Sequence, residues 1–424
     1  AAHLSGFYGA TIAPSEVGIT SGCNQAFCLA LMSIARADDQ VILPRPHYFN
    51  HDMWMRMQGV EPVSLDFRPG SGGVPHAEDA ERLITDRTRA IVLISPNNPT
   101  GAVYPAATIH AFYELAKRRG LTLLLDETYK DFLPEGTRPH ELFSDPDWRG
   151  TLVHLYSFSK VFALTGYRVG AVTAGAKLMA EIEKAMDGVS ICPPRLGQEA
   201  ALYGLRNLLP WARENTKGFK ACADLLGNGL NRSNRWRLIS IGAYFAYVEH
   251  PFGSERSTKV SKRLADEENL LTIPGDMFGA GQERFIRLAF ANVSDDKIPI
   301  VLERLSRMAV ARWRVVLALT ALYCLFGWRC FSRLPIEAFP DVTDTQVNVV
   351  TLLPGRAAEE VEKQVTIPIE VALSGLPHSV RLFSHTQFGL SYIVVTFDDA
   401  VNDYFARQQT LERLQGANLP ANVA

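Results

Sequence analysis

The sequence predicts an α/β architecture: a mainly parallel sheet with helices on both faces. Three observations carry this. Ala90–Ser95 (AIVLIS), Leu121–Leu125 (LTLLL) and Thr151–Tyr156 (TLVHLY) are short runs rich in aliphatic residues, as strands buried on both faces require. A helical segment, Ala106–Arg119, lies between the first two, which makes a right-handed strand–helix–strand crossover. Polar residues gather just past the carboxyl ends of the three runs, where open parallel sheets bind ligands.

Cys23–Ala35 reads as an apolar helix opened by Ser21-Gly22. Residues 196–232 read as helical and bridge two domains. Residues 236–308 mix strands (Tyr244–Val248, Phe285–Ala289) with helices, as in a smaller α+β domain. The character changes after Met308. Val315–Trp328 holds fourteen residues without a charge, flanked by Arg312, Arg314, Arg329 and Arg333. A membrane span needs about 20 residues, so a buried helix and a span with snorkelling arginines both fit this stretch. Beyond it, Gln346–Leu352 reads as a strand, Ala357–Leu373 as a helix, Arg381–His385 and Ser391–Phe397 as strands, and Tyr404–Leu414 as a helix. That order is a ferredoxin-like unit lacking its last strand. The expected divisions are a large domain over 1–200, a small domain with a bridging helix over 201–308, a transmembrane helix over 309–333, and a partial ferredoxin-like subdomain over 334–424.

Composition sets outer bounds. The chain has 424 residues, 47% hydrophobic and 21% charged, with a formal net charge of −2 and a mean hydropathy of −0.00. These values exclude a disordered or collagenous chain and leave no electrostatic footprint for nucleic acid. Six cysteines without a CxxC pair, and ten histidines without HExxH, argue against a structural metal site or a redox dithiol. They read as free buried thiols in a reducing compartment. The sequence starts at Ala1 with no signal-peptide pattern.

The strand ends carry the chemistry. The first run leads into Pro96-Asn97-Asn98-Pro99-Thr100-Gly101, the second into Asp126-Glu127-Thr128-Tyr129, the third into Ser157-Phe158-Ser159-Lys160. Asn98, Asp126, Tyr129, Ser157 and Lys160 therefore converge on one crevice. Singly, each has a plain structural use: Asn98 in a turn, Asp126 and Ser157 as helix caps, Lys160 in solvent. Together, at three successive strand ends, they mark a ligand site.

These motifs resemble those of the fold-type I pyridoxal-phosphate enzymes of the class I/II aminotransferase group. The matching segments are Thr20 to Ala26 (TSGCNQA), Pro46-His47-Tyr48, Ser95 to Gly101 (SPNNPTG), Asp126 to Tyr129 (DETY), Ser157 to Arg168 (SFSKVFALTGYR) and Arg284 to Leu288 (RFIRL), in order over about residues 1–308. The resemblance implies pyridoxal 5′-phosphate as cofactor and Lys160 as its Schiff-base lysine and proton shuttle. It implies Asp126 as the partner of the pyridine nitrogen, Asn98 and Tyr129 as partners of the phenolic oxygen, and Tyr48 stacked on the ring. Ser21, Gly22, Cys23 and Asn24 at a helix N-terminus, with Ser157 and Arg168, would hold the phosphate. Arg287 would hold the substrate carboxylate, with its neighbour Arg284 as the alternative.

The resemblance further implies a cytoplasmic homodimer moving an amino group between an amino acid and a 2-oxo acid. A β-lyase or synthase of the same fold is the nearest enzyme alternative. With one arginine for the α-carboxylate and no clear second one, a neutral or aromatic substrate is expected. Members of the group carry a longer N-terminal segment than the one preceding Thr20 here. Its absence is expected to affect the small domain, the dimer contacts and the substrate side-chain pocket.

The tail resembles a different family. Leu334 to Thr343 (LPIEAFPDVT), Glu359 to Glu362 (EEVE), Thr366 to Glu370 (TIPIE), Gly375-Leu376-Pro377, Phe388 to Ser391 (FGLS) and Tyr404 to Gln408 (YFARQ) look like the start of a heavy-metal efflux pump of the resistance–nodulation–division type. That resemblance implies a first transmembrane helix at Val315–Trp328, an inner-membrane location for the tail, and a periplasmic subdomain after it. The later membrane helices that would carry a proton relay are not in the sequence, so the tail is expected not to transport. No physical rationale joins the two parts. The expectation is an accidental fusion near Met308-Ala309, against a membrane-tethered enzyme or a transport subunit with an inert front half.

Overall fold

Alternation at every second residue lets the Thr88–Ile94 strand bury both its faces. Ile91 and Leu93 join one apolar cluster, while Ala90 and Val92 join another on the opposite side. The computed structural model describes residues 1–424 except 234, 310–312, 334–343, 422 and 424. They divide into two compact units, Ala1–Arg314 and Val315–Ala424.

In the first unit seven strands form one sheet: β1 (Val17–Thr20), β2 (Gln40–Pro44), β3 (Glu61–Leu65), β4 (Thr88–Ile94), β5 (Thr122–Asp126), β6 (Leu152–Ser157) and β7 (Gly170–Thr173). Their spatial order is β1-β7-β6-β5-β4-β2-β3. From β6 to β3 every neighbouring pair is parallel, while β7 is antiparallel to both β6 and β1. The Ala106–Arg119 helix covers one face with Ile109, Phe112 and Leu115. Helices Cys23–Ile34 and Ala176–Val189 cover the other with Phe27, Leu31, Met179 and Ile182. The predicted 106–119 helix has the expected bounds. Gly120 ends it in the left-handed region, and Lys117, Arg118 and Arg119 complement its dipole.

The three predicted strands lie within two residues of their expected ends. Residues 196–232 form two helices, Arg195–Asn207 and Leu209–Arg232, rather than one. Pro210 cannot donate a backbone hydrogen bond, so the helix restarts there. A second, antiparallel sheet holds β8 (Arg237–Gly242), β9 (Phe245–Glu249), β10 (Ile273–Pro274) and β11 (Phe285–Ala289) in the order β10-β11-β9-β8. Its core joins Ile286 and Leu288 to Leu226, Leu230 and Leu305 from the flanking helices and to Trp236 just before β8.

One contact fastens the loop after β4 to this second sheet. Gly101 has φ 72°, and a Cβ there would lie 2.6 Å from the Gly242 nitrogen and from the Phe245 carbonyl oxygen. Ser240 Oγ donates to the Thr100 carbonyl at 2.7 Å.

In the second unit, β12 (Gln346–Leu352), β13 (Ser379–Gln387) and β14 (Leu390–Phe397) form an antiparallel sheet in the order β12-β14-β13. Ile393, Val395 and Phe397 bury one face against Val361, Val365, Ile369 and Leu373. The expected order of strand, helix, strand, strand, helix is present, the last helix being Asp403–Leu414. The 357–373 helix is not uniform: Glu362–Thr366 is a π-turn just ahead of Pro368, whose missing N–H disturbs the regular ladder. The Leu334–Thr343 motif lies outside the described residues.

Two expectations are corrected. The Trp313–Phe331 helix forms, but among the described residues no helix is long and apolar enough to cross a membrane. Fourteen uncharged residues cover roughly 21 Å at about 1.5 Å each, against a hydrocarbon core of about 30 Å. The transmembrane helix, and with it membrane contact through residues 315–328 and an inner-membrane location, is therefore not supported. The cysteines are not all buried: Cys28 and Cys222 are, Cys23 is half-buried, and Cys192, Cys324 and Cys330 are exposed.

Gly101→Ala places a side chain against backbone in a left-handed conformation. It should lower stability by about 2–3 kcal/mol in denaturant unfolding, with the loss confined to the first unit.

Candidate active site

β4, β5 and β6 are neighbours, so the residues just beyond them are close in space. Asn97 shapes the loop after β4: its Oδ1 accepts from Thr100 N–H at 3.1 Å and Thr100 Oγ at 2.9 Å. This turns Asn98 toward Tyr129 and Arg287. Asn98 Nδ2 donates to Tyr129 OH at 3.4 Å, and Arg287 Nη1 donates to Asn98 Oδ1 at 2.7 Å. Burial pushes the Tyr129 hydroxyl well above its ordinary range, so it stays protonated and can donate.

Asp126 ends β5 and is 5% exposed. Its Oδ1 accepts from Thr128 N–H at 3.0 Å, and its Oδ2 lies 3.4 Å from His51 Nε2. Burial opposes ionisation, but the His51 and Thr128 contacts outweigh it and hold the carboxyl below its usual range. His51 stands in the first turn of the Phe49–Met57 helix and stacks on Phe27 at 4.1 Å. Beside Asp126, burial and then the carboxylate charge push the Cys23 thiol well above its ordinary range.

Lys160 follows β6 on a short helix, Phe158–Val161, capped by Ser157, whose Oγ accepts from Ser159 N–H at 3.2 Å. Burial, then the charges of Arg168 and Arg287, hold its amine below the ordinary value of 10.5. No carboxylate pairs with Lys160 among the described residues. Arg168 Nη1 donates to the Thr165 carbonyl at 2.9 Å and Nη2 to the Ser21 carbonyl at 3.5 Å. Gly22, at φ 86°, opens the Cys23–Ile34 helix, and a Cβ there would collide with the Arg168 guanidinium.

A cleft of about 510 Å³ gathers Cys23, Asn24, Tyr48, Asn98, Asp126, Tyr129, Ser157, Lys160, Arg168 and Arg287 along its walls. Ser21 and Gly22 stand behind this wall, against Arg168. Tyr48 is half-buried, edge-on to His51 at 5.5 Å, and its hydroxyl accepts from Asn50 Nδ2 at 2.9 Å. The structure separates the two candidate arginines, Arg284 just before β11 and Arg287 on it. Arg284 pairs with Glu249 at 3.0 Å outside the cleft, whereas Arg287 lines it, with its guanidinium 4.9 Å from the Phe245 ring.

The structure adds residues that sequence reasoning missed. Thr128 and Ser159 fall inside the matching motifs without a task there, and both line the cleft. His51 sits three residues beyond Tyr48. A histidine on the first turn after that motif was the only signal for it.

The donor set matches pyridoxal phosphate. A glycine-opened helix N-terminus, two serines and a guanidinium suit a phosphate. Ser159 Oγ and Arg287 Nε are buried without a protein partner, leaving donors free for a ligand. An ionised buried carboxylate suits a ring N–H, and an amine of lowered pKa suits an aldehyde.

Residues 1–305 match the family model of class I and II aminotransferases, and residues 305–424 match that of the AcrB/AcrD/AcrF family. An aspartate aminotransferase of Sulfolobus acidocaldarius is 32% identical over 315 residues, which are 72% of this chain and 78% of that protein. An aspartate/prephenate aminotransferase of Thermus thermophilus is 31% identical over 310 residues, 71% of this chain and 77% of that protein. Among solved structures, Thermus thermophilus aspartate aminotransferase with maleate superposes with a TM-score of 0.65 at 28% identity, covering 72% of this chain and 80% of that one. The aromatic aminotransferase of Pyrococcus horikoshii gives a TM-score of 0.68 at 25% identity, covering 73% and 83%. Through residues 1–305 the chain belongs to the class I and II aminotransferases, which depend on pyridoxal phosphate, and it continues into a tail that matches the AcrB/AcrD/AcrF family.

Proposed function

We propose that this aminotransferase moves an amino group between a neutral or aromatic amino acid and a 2-oxo acid, with Lys160 as the residue that holds the cofactor and moves the proton. One observation carries the reading: the Lys160 amine, the Asp126 carboxylate and the Arg287 guanidinium all face one cleft. Bound pyridoxal phosphate supplies the electron sink that the reaction needs. The rest is done by side chains. Asp126 would stabilise a positive charge at the ring nitrogen. Asn98 and Tyr129 would present donors to the phenolic oxygen, and Tyr48 would pack on the ring. Gly22, Cys23 and Asn24 offer backbone N–H groups to the phosphate, with Ser21 behind them and Ser157 and Arg168 beside them. Arg287 grips the substrate α-carboxylate through a fork already fixed on one side by Asn98. Lys160 would act as the base that takes the proton from the substrate α-carbon and as the acid that gives it back.

The substrate class rests on the wall around Arg287. Phe49, Tyr244, Phe245, Ile273 and Met277 line it, and the other arginine of the cleft, Arg168, sits at the Gly22 end. A second carboxylate on the substrate would meet apolar surface there. The pairing into a homodimer is supported by exposed Ile191, Leu196 and Tyr203. For the tail we propose an incomplete ferredoxin-like subdomain without transport of its own, joined to the enzyme by an accidental fusion. The boundary at residue 305 between the two family matches supports this. An intact in-frame transcript crossing Met308-Ala309 in living cells would contradict the fusion reading.

Three outcomes test the site. Lys160→Ala should abolish the visible absorbance of bound cofactor and the borohydride-stable cofactor mass on the chain, and slow transamination on the order of 10³-fold or more. Arg287→Gln should raise KM for the amino acid about 10- to 100-fold, whereas Arg284→Gln should leave it within about twofold. Because burial and two positive neighbours lower the Lys160 pKa, cofactor attachment to the apo-protein should speed up with pH and level off below 10.5. Removing one positive charge makes the protonated amine less unfavourable, so Arg287→Gln should move that midpoint upward.

A further inference from the structure

Asp126 and Glu127 are adjacent, yet they serve opposite sides of the β5 end. Asp126 lines the cleft. Glu127 is fully buried among Tyr8, His140 and His154, which are 1%, 2% and 0% exposed. All three converge on the same oxygen, Glu127 Oε2: Tyr8 OH donates to it, His140 Nε2 lies at 3.3 Å and His154 Nε2 at 3.0 Å. Leu142 N–H donates to His140 Nδ1 at 3.2 Å, so the ring carries its proton on Nε2 and donates to the carboxylate. A proton on Nε2 also excludes that nitrogen as a metal ligand. The backbone is held as well: Glu127 N–H donates to the Leu155 carbonyl at 2.9 Å, and Ser95 N–H to the Asp126 carbonyl at 3.1 Å.

We propose that Glu127 is a positioning residue, whose cluster with Tyr8, His140 and His154 clamps the end of β5 and so fixes the Asp126 carboxylate relative to the cofactor ring. The inference rests on the reading of Asp126 as the ring-nitrogen partner. The Asp126 carboxylate itself is held by Thr128 N–H, two residues along the same strand end, and by His51 on the Phe49–Met57 helix. The Glu127 cluster ties that end to the N-terminal helix Ala2–Tyr8, to the loop at His140 and to β6 at once. A buried carboxylate with three donors is rigid, because losing any one leaves charge uncompensated in low dielectric. Small misplacements of a group next to the reacting atoms cost large factors.

The test uses the full chain loaded with pyridoxal phosphate. Parent, Glu127→Gln and Tyr8→Phe proteins are titrated with pH while the visible band of the bound cofactor is followed, and cofactor retention is measured by dialysis. Glu127→Gln is expected to move the midpoint of the band by about half a pH unit or more and to weaken retention about tenfold. Tyr8→Phe, which removes one donor of the three, should move it the same way by less. Variants that keep the parent midpoint and retention while melting at lower temperature would overturn the proposal, since a merely structural cluster affects stability alone. Should Glu127→Gln fail to fold, Tyr8→Phe decides by the same two readouts. A parent that takes up no cofactor overturns the reading of the site, and the clamp with it.

Discussion

Everything in the cleft depends on keeping a largely buried carboxylate ionised. A buried acid would ordinarily take up a proton. Asp126 does not, because His51 and the Thr128 backbone N–H reach its oxygens. That arrangement is available only at the end of a central parallel strand. There the chain leaves the sheet, its next backbone N–H groups turn back on the side chain, and the flanking strands wall off solvent. Strands about 4.8 Å apart also set the spacing of the site. The loop after β4 and the short helix after β6 deliver Asn98 and Lys160 on either side of Asp126.

A second constraint joins the two sheets of the enzyme unit. Arg287 belongs to β11, Asn98 to the loop after β4, and Tyr129 to the turn after β5, yet they form one hydrogen-bonded chain. This links Arg287, which under the proposed function would hold the substrate carboxylate, to Tyr129, which would face the cofactor's phenolic oxygen. Gly101 makes the link possible by letting the β4 loop lie directly on the β8–β9 turn. A carboxylate entering beside Arg287 therefore acts on a group that already touches Asn98, and any shift there reaches Tyr129.

Much of this was legible in the sequence because it is local. Strand runs followed within a few residues by Asn98, Asp126 and Lys160 place those side chains without knowledge of distant contacts, and Ser157 caps its helix while also lining the cleft. What stayed hidden is tertiary. His51 meets Asp126 across 75 positions, and Tyr8 and Glu127 meet across 119. No spacing rule encodes such pairs. The strands β1, β2, β3 and β7 were missed because β1 and β7 have four residues including a glycine, and β2 and β3 each contain a proline, which weakens the strand signal. The tail erred the other way: an uncharged run flanked by arginines fits two environments equally, and its length decided against a span.

The proposed function makes Asp126 central, as the group that would keep the cofactor's ring nitrogen protonated. The most direct measurement is the nitrogen-15 chemical shift of that nitrogen in protein loaded with ring-labelled pyridoxal phosphate. The predicted result is a protonated-pyridine shift at neutral pH that persists well above the value for the free cofactor and is lost in Asp126→Asn. A neutral-pyridine shift in the parent protein, indistinguishable from that of Asp126→Asn, would contradict it.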